Sequence, residues 1–309
     1  MPRPLNAASI PPGKVLITGA NGHLGRRLIA ALVPERGVVA LVRSATAARQ
    51  LASLAHPNLV VRVVDYADAA ALTECAAGCS QAVHLVGIIK ASGTNSYTQA
   101  HEVTTRALVA AAARGNLLGI IYLSILGSRP QAANPCHASK GRAEQLLAQA
   151  ATPSTVLRLP LVLGEGDYAA NALRRRALAK VSVVLRGASR EQPIYAGDVS
   201  GAIVGLLAAP QTGYRCFDLA GPESLSRIDL TRQAAALLGS DPRLLDLPLA
   251  VGMVAAGLLE RLTDDPPVTR AMLGVLDHDD DIDPGPACAA LGVDLTPLDA
   301  MLRKTIVWR

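Results

Sequence analysis

Apolar residues in this chain fall into short blocks that alternate between solid runs and helical spacing. The first run, residues 15–18, breaks into glycines at Gly19, Gly22 and Gly25 and resumes with helical periodicity to residue 32. Further strand-like runs occupy residues 38–42, 59–64, 81–86, 119–124 and 155–163, and helix patterns occupy residues 67–77, 97–114 and 135–150. Regular alternation of this kind predicts right-handed βαβ units and a doubly wound parallel α/β sheet of Rossmann type. Beyond it, residues 225–238 carry an amphipathic helix pattern, and residues 247–259 are nearly all apolar. The plain expectation for 247–259 is a helix packed on residues 169–185. A wall for a lipophilic substrate and a docking surface for a membrane or partner stay open. The expected division is a loose leader at 1–13, a nucleotide domain at 14–165 with about 194–222, and a small, mostly helical substrate or partner domain at 166–193 and 223–309.

Three spaced glycines between a strand and a helix have a physical reading. They allow a sharp turn, bring bare backbone amides against a pyrophosphate, and let the helix pack closely on the strand. Gly19, Asn21, Gly22, His23, Leu24 and Gly25 are therefore candidate cofactor residues. In such sheets ligands lie outside the carboxyl ends of the strands, which adds Val86 and Gly87, Ser124 and Gly164 to the expected crevice. The second strand ends at Arg43-Ser44, where an acid would accept from the 2′-hydroxyl of NAD. An arginine there suits a phosphate, so NADP(H) is favoured over NAD(H). The alternative is a polar residue that merely ends a strand.

Composition narrows the class. The net charge of +5 is modest and only Arg174, Arg175 and Arg176 cluster, which argues against nucleic acid. Five cysteines show no paired metal-ligand spacing and read as reduced thiols of a cytoplasmic protein. The acidic run 277–283 lacks the glycine and distal glutamate of a calcium loop and reads as a solvated loop. No run is long enough to span a bilayer.

With these residues in view the chain resembles the atypical or extended branch of the short-chain dehydrogenase/reductase superfamily. The residues that carry the likeness are 18–25, Asp65, 83–86, Ser139 and Lys140 through Glu144, 193–199, 217–223 and 266–270. Within the branch it is most similar to the subgroup related to the NDUFA9 subunit of respiratory complex I. The resemblance implies that Asp65, with Tyr66 beside it, reads the adenine. It further implies that backbone near Gly22, His23 and Leu24 touches the pyrophosphate, and that Lys140 holds the nicotinamide ribose.

The likeness fails at the proton donor. The family's tyrosine lies four residues before the lysine, and Cys136 stands there. A nearby ammonium should push this thiol toward thiolate, so Cys136 reads better as a space-filler than as an acid. Ser124 lies one or two residues short of the family's serine, and His101 stands where many relatives carry a structural asparagine. His101, His84 or His137 could replace the missing acid, although each reads more readily as a member of a hydrogen-bond network, the usual role of helix and strand histidines. Two functions follow. One is an NADPH-dependent reductase of an activated carbonyl, imine, enone or quinone-like small molecule. The other is a non-catalytic NADP(H)-binding protein with a structural or redox-sensing role.

Overall fold

The computed structural model describes residues 13–307 other than 94, 264 and 276. In chain order, β1 (Lys14–Thr18), α1 (His23–Leu32), β2 (Val38–Val42), α2 (Ala45–Arg49), β3 (Leu59–Val63), α3 (Ala69–Ala76) and β4 (Cys79–His84) alternate as expected. One turn of π-helix (Thr98–Val103) runs into α4 (Thr104–Arg114), then β5 (Gly119–Ile125), α5 (Pro135–Ala148) and β6 (Ser154–Leu159). The remainder comprises β7 (Val162–Leu163), α6 (Tyr168–Leu178), β8 (Val181–Leu185), β9 (Arg190–Glu191), β10 (Ile194–Tyr195), α7 (Ala196–Leu207) and β11 (Tyr214–Asp218). It ends with β12 (Leu225–Ser226), α8 (Arg227–Leu237), β13 (Arg243–Leu247), α9 (Leu249–Leu262), α10 (Arg270–Gly274), α11 (Gly285–Leu291) and α12 (Leu298–Ile306).

Seven strands form the main sheet in the order β11-β6-β5-β4-β1-β2-β3. The pairs β2–β3, β1–β2, β1–β4 and β4–β5 run parallel. The order reverses between β1 and β4, the switch point where a doubly wound sheet opens a crevice. Leu16, Leu41, Leu72, Leu108, Ile120 and Leu147 form the core on one face. Such continuous aliphatic burial explains why the strands read as apolar runs rather than alternating ones.

The chain divides into two units. The first runs as far as Ile88 and adds Asn95–Arg158 and Val199–Phe217; the second takes Ile89–Thr94, Leu159–Asp198 and Asp218 onward. The cuts lie at 158/159, 198/199 and 217/218, and the six residues 89–94 group with the second unit. Residues 1–12 of the expected leader lie outside the described residues.

Three expectations are corrected. The run 155–163 is not one strand: it stops at Leu159, and Val162 and Leu163 pair instead with Ile194 and Tyr195. Pro160 between them has no N–H for a ladder. The helix expected at 225–238 starts at Arg227, because the Ser226 hydroxyl accepts from Asp229 N and caps it there, while Leu225 and Ser226 pair with β9. The run 247–259 is not one helix: Leu247 ends β13 and α9 begins at Leu249, where Gly252 packs against Leu185 as expected while Ala256 is the buried residue of the helix. No described helix is long and apolar enough to cross a membrane. None of the five cysteines, all of them described, forms a disulfide.

Candidate nucleotide site

The glycine loop is shaped by close approach. Gly19 has φ +71°, and a Cβ there would stand 3.0 Å from the Leu85 carbonyl carbon. At Gly25 a Cβ would lie 2.5 Å from the Ala20 carbonyl oxygen, so only glycine lets α1 seat against the loop. Gly22 is the N-cap of α1, which has neither a side-chain cap nor an acid in its first turn. The first-turn amides of a helix lack intrahelical partners, and here they are left for an anion at the positive end of the dipole.

Around this loop the structure distributes the expected cofactor residues unevenly. Arg43 is exposed at the carboxyl end of β2. Ser44 caps α2 by accepting from Ala47 N. Asp65 is exposed after β3 and accepts from Ala67 N through Oδ1. Asn21 donates to Gln50 Oε1 at 3.0 Å. Tyr66 is different: its hydroxyl donates to Leu41 O at 2.6 Å and accepts from Gly19 N at 2.9 Å. Burial pushes its phenol up to about 12, so it remains a neutral brace between β2 and the loop. Tyr66 therefore acts on the site through Gly19 rather than by offering its own oxygen.

The second cluster gathers on α5. Asn134 caps this helix by accepting from Cys136 N and His137 N, and Pro135 begins it. Lys140 reaches back to donate to Leu123 O at 2.7 Å, and its Nζ stands 4.5 Å from the Tyr122 ring centroid. A Cβ on Gly87 would lie 3.1 Å from that Nζ, so the glycine after β4 makes room for the ammonium. Burial presses Lys140 down to about 8, with Cys136 and Glu144 opposing the shift.

Both histidines near this lysine are neutral, and their hydrogens can be placed. Ser139 donates to Cys136 O at 2.9 Å, so it accepts from His101 Nδ1–H at 2.7 Å. His101 Nε2 in turn accepts from Ile88 N at 3.0 Å. Thr104 donates to Ala100 O at 2.7 Å and so accepts from His84 Nε2–H at 3.4 Å, leaving His84 Nδ1 to accept from Thr18 Oγ1 at 2.6 Å. Burial first, and Lys140 second, hold each imidazole at about 3. Of the two roles open to His101 and His84, the structure favours the hydrogen-bond network over proton supply near neutrality, because both rings are spent on fixed bonds. His137 is buried on the first turn of α5.

Two further expectations change. Cys136 donates to Ile88 O at 3.5 Å, and burial pushes its thiol up to about 11 against the lowering effect of Lys140. Desolvation outweighs the ammonium, and Cys136 is a thiol, not the thiolate that its spacing from Lys140 suggested. Ser124 gives its hydroxyl to Glu144 Oε1 at 2.5 Å, and Arg158 grips the same carboxylate through Nε and, at 2.6 Å, through its terminal nitrogen. That clamp was not anticipated. Nor was the Thr18–His84–Thr104 chain, whose first two members lie 66 residues apart. No short-range spacing announces either one.

The uncapped helix, the two glycines that a Cβ would obstruct and the lysine set against Gly87 fit a dinucleotide. A family model for NAD(P)H-binding proteins matches residues 19–192. The chain belongs to the NAD(P)H-binding family. It is an atypical member of the short-chain dehydrogenase/reductase superfamily. A ceramide reductase of Caulobacter vibrioides is 30% identical over 303 residues, covering 95% of this chain and 89% of that protein. The Arabidopsis thaliana mitochondrial NADH dehydrogenase 1 alpha subcomplex subunit 9 is 23% identical over 78% of this chain and 61% of its own length. The solved triphenylmethane reductase of a Citrobacter species shares the fold, with a TM-score of 0.75 and 18% identity over 96% of this chain and 100% of that one.

Proposed function

We propose that the protein is an NADP(H)-dependent reductase acting on an activated, lipophilic carbonyl, imine, enone or quinone-like small molecule. The observation that carries this reading is Lys140, a lysine kept dry and partly deprotonatable against Gly87, where a bare glycine leaves it room. The amides of His23 and Leu24, beside a Gly22 whose own N–H is given to Gly19 O, would hold the pyrophosphate. Arg43 would take the 2′-phosphate, and Asp65 would accept from the adenine amino group. The bound nucleotide supplies a hydride. Lys140 would hold the nicotinamide ribose through the N–H groups it does not give to Leu123 O.

The proton is the harder half. Cys136 replaces the family's tyrosine, and its thiol is neutral and turned to Ile88 O. The N–H protons of His84 and His101 are held in fixed bonds to Thr104 and Ser139, and Ser124 is committed to Glu144. Lys140 is the group in this cluster whose proton is exchangeable near neutrality, and we assign the donation to it. A substrate that is already activated needs little acid assistance, and a relative named as a ceramide reductase supports a lipophilic one.

The test is single-turnover oxidation of pre-bound NADPH by a panel of long-chain ketones, enones and quinones. Consumption by at least one class, abolished in Lys140→Ala, supports the reading. Tight NADPH binding with no consumption by any of them replaces it with nucleotide binding without turnover, the role open to a relative of a complex I subunit.

A further inference from the structure

Helix α9 leaves Val251, Val254, Leu258 and Leu262 exposed to 50, 66, 55 and 81%. Their spacing of three, four and four residues sets them in one stripe. A second apolar surface adjoins it. Strands β8 and β13 pair in parallel, Val181 beside Arg243 and Val183 beside Leu245, so these side chains share a sheet face. On that face Val181 and Val183 are 53 and 50% exposed, whereas Ser182 and Val184 on the other face are buried. The surfaces meet at Leu185, the next residue on the exposed face, whose Cδ1 would stand 2.7 Å from a Cβ on Gly252 of α9.

We propose that this joined surface docks the protein on an anionic lipid bilayer. Its exposed apolar side chains are aliphatic, without the aromatic anchors that mark a protein interface, and six of them fall well short of the roughly 20–30 residues a side of a stable dimer. Charge favours the same occupant. Lys180 precedes Val181, Arg243 lies opposite it and Arg261 sits in the last turn of α9; none forms an ion pair with a described residue. Most nearby acids are already engaged, Asp277 and Asp279 by Arg186, Asp281 by Arg190, Asp265 by Lys90 and Glu260 by Arg270, which leaves exposed Asp241 outnumbered by the three cations. Aliphatic insertion combined with unpaired cations is how a peripheral protein holds an anionic surface. The surface belongs to the second unit alone, so the proposal stands whether or not the nucleotide site turns over.

Vesicle flotation of the full chain with NADPH tests it, using phosphatidylcholine alone and phosphatidylcholine mixed with phosphatidylglycerol. The expected result is binding to the mixed vesicles that falls at least about tenfold in Val254→Asp/Leu258→Asp and in Lys180→Glu/Arg243→Glu, with NADPH affinity unchanged in both. No flotation of the wild-type chain, equal binding to neutral vesicles, or variants that bind like wild type each overturn it. So does a concentration-dependent dimer that Val254→Asp/Leu258→Asp abolishes, since the surface would then be an interface between copies.

Discussion

His101 donates to Ser139 through a 2.7 Å hydrogen bond whose direction is fixed by Ser139's own donation to Cys136 O. The same ring accepts from Ile88 N at 3.0 Å, so one residue ties the turn after β4 to the helix that carries Lys140. His101→Ala leaves the Ile88 amide and the Ser139 hydroxyl short of partners. The expected loss is about 2–4 kcal/mol of unfolding free energy, with weakened NADPH binding. The pH–rate profile should keep its shape, because a ring held at about 3 does not titrate in the working range. Disappearance of a limb near pH 6–7 would show that His101 is the acid after all.

Lys140 predicts the limb that should exist. Its ammonium, lowered to about 8 by burial, is present below that pH and lost as pH rises through it. The kcat/KM for NADPH oxidation should fall above pH 8, approaching tenfold per unit. Tyr122→Leu removes the ring 4.5 Å from Nζ and should move the limb to lower pH, since a favourable cation–π contact is lost. A limb that stays in place would exclude Lys140 as its source.

Arg43 is exposed with its fork free to face a phosphate at the end of β2. Arg43→Asp should weaken NADPH binding by roughly 10- to 100-fold, the loss of a charge-assisted pair, and bring NADH affinity level with it or above. Fluorescence titration of both nucleotides decides; unchanged preference removes the phosphate clamp.

Gly25 is expected to tolerate no side chain. A Cβ there falls 2.5 Å from the Ala20 oxygen and 2.8 Å from the Gly19 oxygen, and backbone cannot move aside as a flexible side chain could. Gly25→Ala should cost about 1–3 kcal/mol and displace the loop. Gly22→Ala, whose nearest neighbour would be 3.3 Å away, should fold normally. Thermal unfolding with and without NADPH separates the two.

The sheet and the loop were legible because they rest on local signals: apolar runs, helix spacing, and glycines where the backbone must approach itself. Arg43, Asp65 and Lys140 could be placed because each follows a strand or rides a helix already located. What escaped was everything set by contact across the chain. Cys136 and Lys140 four residues apart suggested a thiolate, yet burial decides against it, and burial depends on Ile88 and the packing around it. The apolar run 247–259 suggested a helix packed on residues 169–185, and Gly252 does meet Leu185, yet hydrophobicity alone does not say how much of the helix another element covers.

Acid should unfold the protein through two histidines in particular. His84 and His101 sit at about 3 when folded against an ordinary value of 6.5, so the unfolded chain binds more protons throughout that interval. Stability therefore rises with pH across the window and is lost as pH falls from about 6.5 toward 3. Each histidine contributes up to about 1.4 kcal/mol per pH unit, an upper bound for groups that relax as they charge. Denaturant unfolding of wild type should show midpoints that decline steadily below pH 6.5. The His84→Gln/His101→Gln double variant, less stable at neutrality, should show a flatter decline across the same interval. Parallel declines would mean that other groups, the buried Glu144 among them, carry the acid sensitivity.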